Sequence, residues 1–150
     1  MTIDEDVLLL DLFSDKYSLQ WRISDEGEPV VLAANGYLYV YDQSDLAVCF
    51  YPSELTAECW NDYIHVCLRA GMEIISDGLH ESFLSVSPND EAQCRLAIKI
   101  CGARRNRMTG AEREHLKVAV WRMRSRKAAR ELATQKAEAL WRWKMLTDSF

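Results

Sequence analysis

One stretch decides the fold of this chain: residues 30–41 read VVLAANGYLYVY. Two runs rich in β-branched and aromatic residues flank Asn35 and Gly36. The pair Asn-Gly favours the positive φ angles of a type I′ turn, which is the tight turn of a two-residue hairpin. The stretch therefore predicts two neighbouring antiparallel strands, and the other elements are arranged around them.

The tyrosines of the second strand share one face of the predicted sheet. Successive side chains of a strand point to opposite faces, so Tyr37, Tyr39 and Tyr41 lie on one side and Leu38 and Val40 on the other. We expect a helix to cover the tyrosines while their hydroxyl groups reach water. Uncovered, they would offer a surface for stacking nucleic-acid bases, although nearby acidic residues would repel phosphate.

Helices and further strands surround this hairpin along the chain. Thr2 followed by Glu5 has the spacing of a capping box, and Thr109 is placed to cap the last helix. Gly71 and Gly102 are placed to end helices. We predict helices over residues 3–13, 54–70, 90–100 and 110–146, and further strands over residues 17–23, 46–51, 72–76 and 79–86. The stripes expected to face the core are Leu55, Cys59, Tyr63, Val66 and Ala70 in the second helix and Ala92, Leu96 and Ile100 in the third.

This order of elements predicts an α+β fold. We expect a largely antiparallel sheet of about five to six strands, with helices on one face and a long basic C-terminal helix. A chain of 150 residues is long enough to bury a real core. We interpret residues 1–102 as an acidic α+β core, and residues 103–150 as a basic connector and long helix that belong to the same domain.

The two parts of the chain carry opposite charge. Residues 1–100 contain 18 Asp and Glu against 5 Lys and Arg, a net charge of −13. Residues 101–150 contain 5 acidic and 13 basic residues, a net charge of +8, and the two values give the overall −5. Such asymmetry points to a charged partner or to self-association.

The predicted C-terminal helix carries an apolar stripe and a cationic face. The stripe repeats every three or four residues, near the heptad period, and comprises Val118, Trp121, Ser125, Ala128, Leu132, Gln135, Ala139, Trp143 and Leu146. Because two members are polar and two more are alanines, we expect only a weak coiled coil, which packs on the domain or against a second copy. Away from the stripe, three arginines stack at i, i+4 and i+8 with no acidic residue four positions away. With their neighbours they give the candidate partner-binding residues Arg104, Arg105, Arg107, Arg122, Arg124, Arg126 and Arg130.

Three partners for these arginines stay open. The first is the protein's own acidic half, within one chain or across a homodimer. The second is nucleic acid, because arginine donates bidentate hydrogen bonds to phosphate. The third is an acidic surface of another protein. No C2H2 spacing, RNP sequence or GxxG loop accompanies them, so no nucleic-acid-binding family is indicated.

The carboxylates of residues 1–100 suggest an alternative function. An extended negative surface can imitate nucleic-acid phosphates and occupy a basic groove of another protein. Small inhibitors of nucleic-acid enzymes work this way, and many of them are encoded by phages. Because the carboxylates are scattered along the chain, the simpler interpretation is a solvated surface that keeps the protein soluble.

The sequence contains no catalytic, cofactor or metal-binding motif. It has no Walker loop and no GxGxxG. His65 and Cys67 lie two residues apart on a predicted helix and so face about 200° apart, which prevents them from sharing a metal ion. Pairing of Cys49 or Cys59 with His65 as nucleophile and base matches no signature. The five cysteines include no CxxC and are expected to be buried, reduced thiols.

Taken together, the residues predict a cytoplasmic, non-enzymatic binding module with no cofactor. We expect it to engage nucleic acid or a nucleic-acid-handling protein complex through the basic C-terminal helix. The alternative is a small inhibitor or adaptor that acts by protein–protein contact through its acidic N-terminal surface. The sequence contains no run of about 18 apolar residues, so it predicts no membrane span. The acidic N-terminus does not resemble a secretory signal.

Overall fold

The computed structural model describes residues 2–42, 44–51, 57–77 and 81–148. In this part of the chain the helices are α1 (Glu5–Lys16), α2 (Ala57–Arg69), α3 (Glu91–Cys101) and α4 (Gly110–Thr147). The strands are β1 (Arg22–Ile23), β2 (Pro29–Ala33), β3 (Gly36–Val40), β4 (Leu46–Phe50), β5 (Ile74–Asp77) and β6 (Ser82–Val86). They form one sheet in the order β1-β2-β3-β4-β6-β5, and every neighbouring pair is antiparallel. The predicted α+β class is confirmed, including the long C-terminal helix.

The core lies between one face of the sheet and the helices. Leu38, Val48 and Leu84 form a cross-strand row on that face and are fully buried. Leu10 of α1 and Ala97 of α3 belong to the same buried cluster. All five residues of the central strand β4 are buried. The described helices therefore cover one face of the sheet, as predicted.

The hairpin over residues 30–41 forms as predicted, but its turn is shifted by one residue. Ala33 pairs with Gly36, so the two connecting residues are Ala34 and Asn35. Asn35 does not adopt the positive φ of the predicted type I′ turn. Instead the N–H of Asn35 donates to the carbonyl of Cys101 at the end of α3, at 2.8 Å. Docking on α3 thus overrides the Asn-Gly turn that the local sequence predicts.

Two elements near the N-terminus differ from prediction. Helix α1 starts after Asp4 and not after Thr2, and it continues to Lys16 instead of ending near Phe13. The Asp4 carboxylate makes no cap; it binds Arg124 of α4 at 2.6 Å. The strand predicted over residues 17–23 shrinks to β1, because most of that segment packs into the core as a connector.

The buried faces of α2 and α3 are rotated from the predicted stripes. Helix α2 buries Ile64 and Cys67, whereas Tyr63 and Val66 are 39% and 44% exposed. Helix α3 buries Gln93, Cys94, Ala97, Ile98 and Cys101, while Ala92 is exposed and Leu96 and Ile100 are half-buried. The physical reason is that cysteines serve as small core residues and that Gln93 is buried with its polar atoms satisfied, since it accepts from the N–H of Ser87 and donates to the carbonyl of Ala70. The predicted positions Leu55 and Cys59 lie outside the described side chains, and so does the predicted turn at Gly78.

Candidate interaction surface on the C-terminal helix

Helix α4 begins at the predicted cap and docks on the domain only through its first part. The Thr109 hydroxyl accepts a hydrogen bond from the N–H of Glu112 at 3.1 Å. Val120 is the one fully buried residue of the described helix. Arg113, Lys117 and Arg124 share its face of the helix and are 22%, 11% and 26% exposed. The docked face therefore combines these cations with Val120 and the partly buried Leu116, none of which belongs to the predicted apolar stripe.

Asp11 of α1 receives the first two cations. It is 1% exposed. Its carboxylate accepts two hydrogen bonds from the Arg113 guanidinium, at 3.0 and 2.8 Å, and one from the Trp21 indole, at 3.0 Å. Lys117 Nζ lies 3.3 Å from the same carboxylate. Burial raises the pKa of Asp11, but the hydrogen bonds from Arg113 and Trp21 and the charge of Lys117 outweigh it, so the pKa is lowered.

Arg124 closes the other end of the contact between α1 and α4. Its guanidinium binds Asp6 through two parallel hydrogen bonds of 2.9 and 2.7 Å. It also binds Asp4 at 2.6 Å and Glu28 at 3.1 Å. The hydrogen bonds and charge of Arg124 hold the pKa of Asp6 below its ordinary value, despite partial burial. One of the seven candidate arginines is thus held within the chain by its acidic half.

Beyond Arg124, the side chains of helix α4 are no longer packed on the domain, although Arg126 and Arg130 still line an open groove with the acidic loop before β2. Every described residue from 125 to 148 is exposed. A helix of that length extends about 36 Å. It carries six basic residues against three acidic ones, a net charge of +3. Large apolar side chains of this part that are more than half exposed are Leu132, Leu140, Trp141, Trp143, Met145 and Leu146.

The other candidate arginines fall into two separate groups. Arg122, Arg126 and Arg130 are exposed along α4 and make no ion pair with any residue that the structure describes. Arg104, Arg105 and Arg107 are exposed in the connector that precedes the helix. About 18 Å of helix axis separates Gly110 from Arg122, so the structure does not bring the two groups into one site.

The connector arginines border an open groove of their own. Arg104 and Arg105 line it together with Arg22 and Leu32, and its volume is about 550 Å³. Arg22 is absent from the predicted set because it lies far away in sequence, and only the position of β1 beside the connector brings it there. In the same way, the pairing of Arg113 and Lys117 with α1 was not predicted; an isolated Asp on the apolar face of α1 is the signal that would have indicated it.

The face of the sheet away from the helices carries the predicted tyrosines. Leu38 is buried and Val40 packs against the core, so Tyr37 and Tyr39 point to the opposite face, as predicted. The prediction that a helix covers these tyrosines is wrong for the residues that the structure describes. The two rings are half-buried by each other, with centroids 5.6 Å apart, and by Phe83, whose ring meets Tyr39 edge-on at 6.3 Å. Burial raises the pKa of both hydroxyls.

An open groove of about 500 Å³ lies over these rings. Tyr37, Tyr39 and Phe83 line it on one side, and Asp25, Glu26 and Glu28 of the loop before β2 line it on the other. None of its lining residues is cationic. This groove pairs aromatic faces with carboxylates, and that combination attracts cations and repels phosphate.

The cysteines and histidines form no centre in the part of the chain that the structure describes. Cys49, Cys67, Cys94 and Cys101 are buried free thiols. Burial raises the pKa of Cys67 and of Cys101 to about 11, which keeps both protonated near neutral pH. His65 is exposed on α2 while Cys67 is buried, as their spacing predicted. No three described His, Cys, Asp or Glu residues gather in a way that could hold a metal ion.

The chain matches no protein-family model, and no curated protein matches it. Among the described helices, none is apolar over a length that could cross a membrane.

Proposed function

We propose that this protein is a non-enzymatic binding module that engages nucleic acid, alone or within a nucleic-acid-handling protein complex, through the free arginines of α4. One observation carries the proposal: Arg122, Arg126 and Arg130 stack on an exposed helix face and form no ion pair with any residue that the structure describes. Arg124, by contrast, uses its charge inside the chain. Like-charged residues four apart destabilise a helix, so an external polyanion relieves their repulsion.

The chemistry suits a phosphate backbone more than a particular base sequence. Guanidinium groups donate paired hydrogen bonds to phosphate oxygens. Each step of four residues advances about 6 Å along the helix axis, which spreads the three arginines along a strand. We place this binding in the cytoplasm, a reducing compartment that suits the four buried free thiols.

Fluorescence anisotropy with labelled single- and double-stranded oligonucleotides tests the proposal. The variant carries Arg122→Glu, Arg126→Glu and Arg130→Glu. On double-stranded DNA, each phosphate contact contributes roughly −0.9 to the slope of log affinity against log salt concentration. We therefore expect the variant either to lose binding at low salt or to show a slope that is flatter by about 2.7. Melting temperature should not fall, since these side chains contact no core residue.

The matched control reverses the same number of charges elsewhere. Arg69, Arg95 and Lys99 are exposed on α2 and α3, and changing all three to Glu alters the net charge equally. We expect this control to weaken binding only slightly. Equal binding by wild type and the α4 variant, or equal losses in both variants, would refute the proposal.

A second candidate function, contact with a basic protein surface, is favoured by the groove over Tyr37, Tyr39 and Phe83. Of its three carboxylates, Glu28 is bound to Arg124, while those of Asp25 and Glu26 suit lysine or arginine side chains, and the rings suit cation–π contacts with them. A labelled oligoarginine peptide is the probe. We expect Asp25→Asn with Glu26→Gln to weaken its binding. The control pair Asp62→Asn with Glu73→Gln changes exposed residues that do not line this groove, and it should leave binding unchanged. Equal affinities for both variants would contradict this function.

A further inference from the structure

The projecting part of α4 carries an apolar seam that nothing in the described chain covers. From Ser125 the seam follows the heptad spacing through Ala128, Leu132, Gln135 and Ala139, then takes a four-residue step to Trp143 before Leu146. Leu132, Trp143 and Leu146 are 52%, 62% and 65% exposed. Exposed apolar side chains of this size mark an interaction site.

The length of this unsupported helix also calls for a partner. The side chains of residues 125–148 are all exposed, and a helix in a protein owes most of its stability to the packing of an apolar face. A stripe near period 3.5 suits another helix with the same period, because both seams then stay in register. A second copy of α4 supplies such a helix.

Charges beside the seam select both the occupant and its direction. In the heptad that places Ser125 and Leu132 at position a, Glu131 and Glu138 occupy g, and Lys136 occupies e. In a parallel pair, g of one helix faces e of the partner five residues later, so Glu131 meets Lys136 of the other copy. In an antiparallel pair, g faces g and e faces e, which brings like charges together.

We propose that the protein forms a parallel homodimer through residues 125–146 of α4. The seam's small residues let the two helices approach closely, and the polar Ser125 and Gln135 keep the association weak. Arg126 and Arg130 fall at positions b and f, which point away from the seam. Dimerisation therefore leaves these arginines free, and each copy contributes its own set. The dimer does not depend on the proposed nucleic-acid binding.

Sedimentation equilibrium of the full-length protein, from low micromolar to near-millimolar concentration, tests the dimer. We expect twice the chain mass at the upper end. Leu132→Glu should keep the protein monomeric throughout, whereas Ala133→Glu, one residue away at an outward position, should leave the dimer intact. Both residues are exposed, so neither change affects the core. A monomeric wild type, which would leave the seam to a different protein, or a dimeric Leu132→Glu variant overturns the proposal.

Charge exchange tests the parallel direction separately. Glu131→Lys alone and Lys136→Glu alone each place like charges across the seam, and we expect both to weaken dimerisation by a few-fold. The double exchange restores opposite charges and should restore the wild-type dissociation constant. Single exchanges that strengthen the dimer, or a double variant that stays as weak as the singles, would overturn the parallel arrangement.

Oxidative crosslinking supplies a third readout. With Ser125→Cys, a parallel dimer brings the two introduced thiols together at an a position, and mild oxidation should give a reducible dimer. Ala133→Cys should crosslink no more than wild type, and equal crosslinking by both variants contradicts the proposal. The Arg122, Arg126 and Arg130 variant should still dimerise, which separates failure of this proposal from failure of nucleic-acid binding.

Discussion

Asp11 is the residue on which the docking of α4 depends most. It is ionised and almost fully buried, and it pairs with Arg113 and Lys117. Without Asp11, Arg113 keeps only the half-exposed Asp15 and Lys117 only the exposed Glu114, so the cost lies at the lower end of that for breaking a buried ion pair, about 3 kcal/mol. We expect Asp11→Asn to lower the free energy of unfolding by about that amount in urea denaturation. Asp15→Asn removes only a half-exposed contact of 3.2 Å and should cost under about 1 kcal/mol; equal costs for both variants would contradict this role of Asp11.

The close approach of β3 to β4 depends on Gly36. An added Cβ would lie 1.8 Å from the carbonyl oxygen of Cys49, which is backbone of the neighbouring strand. We expect Gly36→Ala to force β3 away from β4 and to destabilise the protein by roughly 3 kcal/mol or more. Gly110 begins α4 with nothing within 4 Å of its added Cβ, so Gly110→Ala should be neutral or slightly stabilising. Thermal melts of the two variants check the contrast, and a stable Gly36→Ala protein would refute it.

Among the elements, the contact between α1 and α4 should respond to acid. Asp6 and Asp11 have lowered pKa values in the folded state. A carboxyl with a lowered pKa stabilises the fold above its ordinary pKa of 3.8. That contribution is lost as pH falls through the lowered value, because the folded state must then take up a proton.

Arg124→Gln isolates the Asp6 part of this effect. We expect the variant to melt below wild type near neutral pH, by an amount equivalent to about 1–2 kcal/mol. The difference should shrink as the pH falls below the lowered pKa of Asp6, because Asp6 is then protonated in both proteins. The matched change Arg122→Gln, on a side chain without an ion pair among the described residues, should have no such pH dependence. A constant difference between Arg124→Gln and wild type at all pH values would rule out this linkage.

Local signals predicted elements well and packing partners poorly. The hairpin over residues 30–41 and the Thr109 cap depend on neighbouring residues, so the sequence alone was sufficient to place them. The turn at Ala34 and Asn35 depends on hydrogen bonds to α3, and no local pattern encodes that contact. The buried face of α3 was missed because Gln93 is polar; its amide donates to the carbonyl of Ala70 at 3.0 Å, which makes it a core residue.

At the scale of the whole molecule, the charge asymmetry serves two purposes. Arg113, Lys117 and Arg124 hold α4 against the acidic α1, which the sequence allowed as one of three interpretations. The remaining cations of α4 extend beyond the domain with the apolar seam beside them. Charge counts alone did not separate these groups, because the separation depends on which turn of the helix faces α1.

Shortening the chain should separate the folded domain from its interaction surface. A variant that ends at Ala128 keeps Val120 and Arg124 more than one helical turn from the new end, so the unpaired carbonyls of that end do not disturb them. It removes only exposed residues of α4. We expect its melting temperature to stay within a few degrees of wild type, its helical circular dichroism to fall, and its dimerisation to be abolished.

A variant that ends at Thr109 provides the contrast, because it also removes the ion pairs to Asp11 and the buried Val120. It should unfold at a much lower temperature or fail to fold. If the chain that ends at Ala128 is equally unstable, residues beyond Arg124 support the domain, and the division of α4 into a docked part and a projecting part is wrong. If both short chains are stable, the contact between α1 and α4 contributes little to the fold, and the expected effect of Asp11→Asn disappears with it.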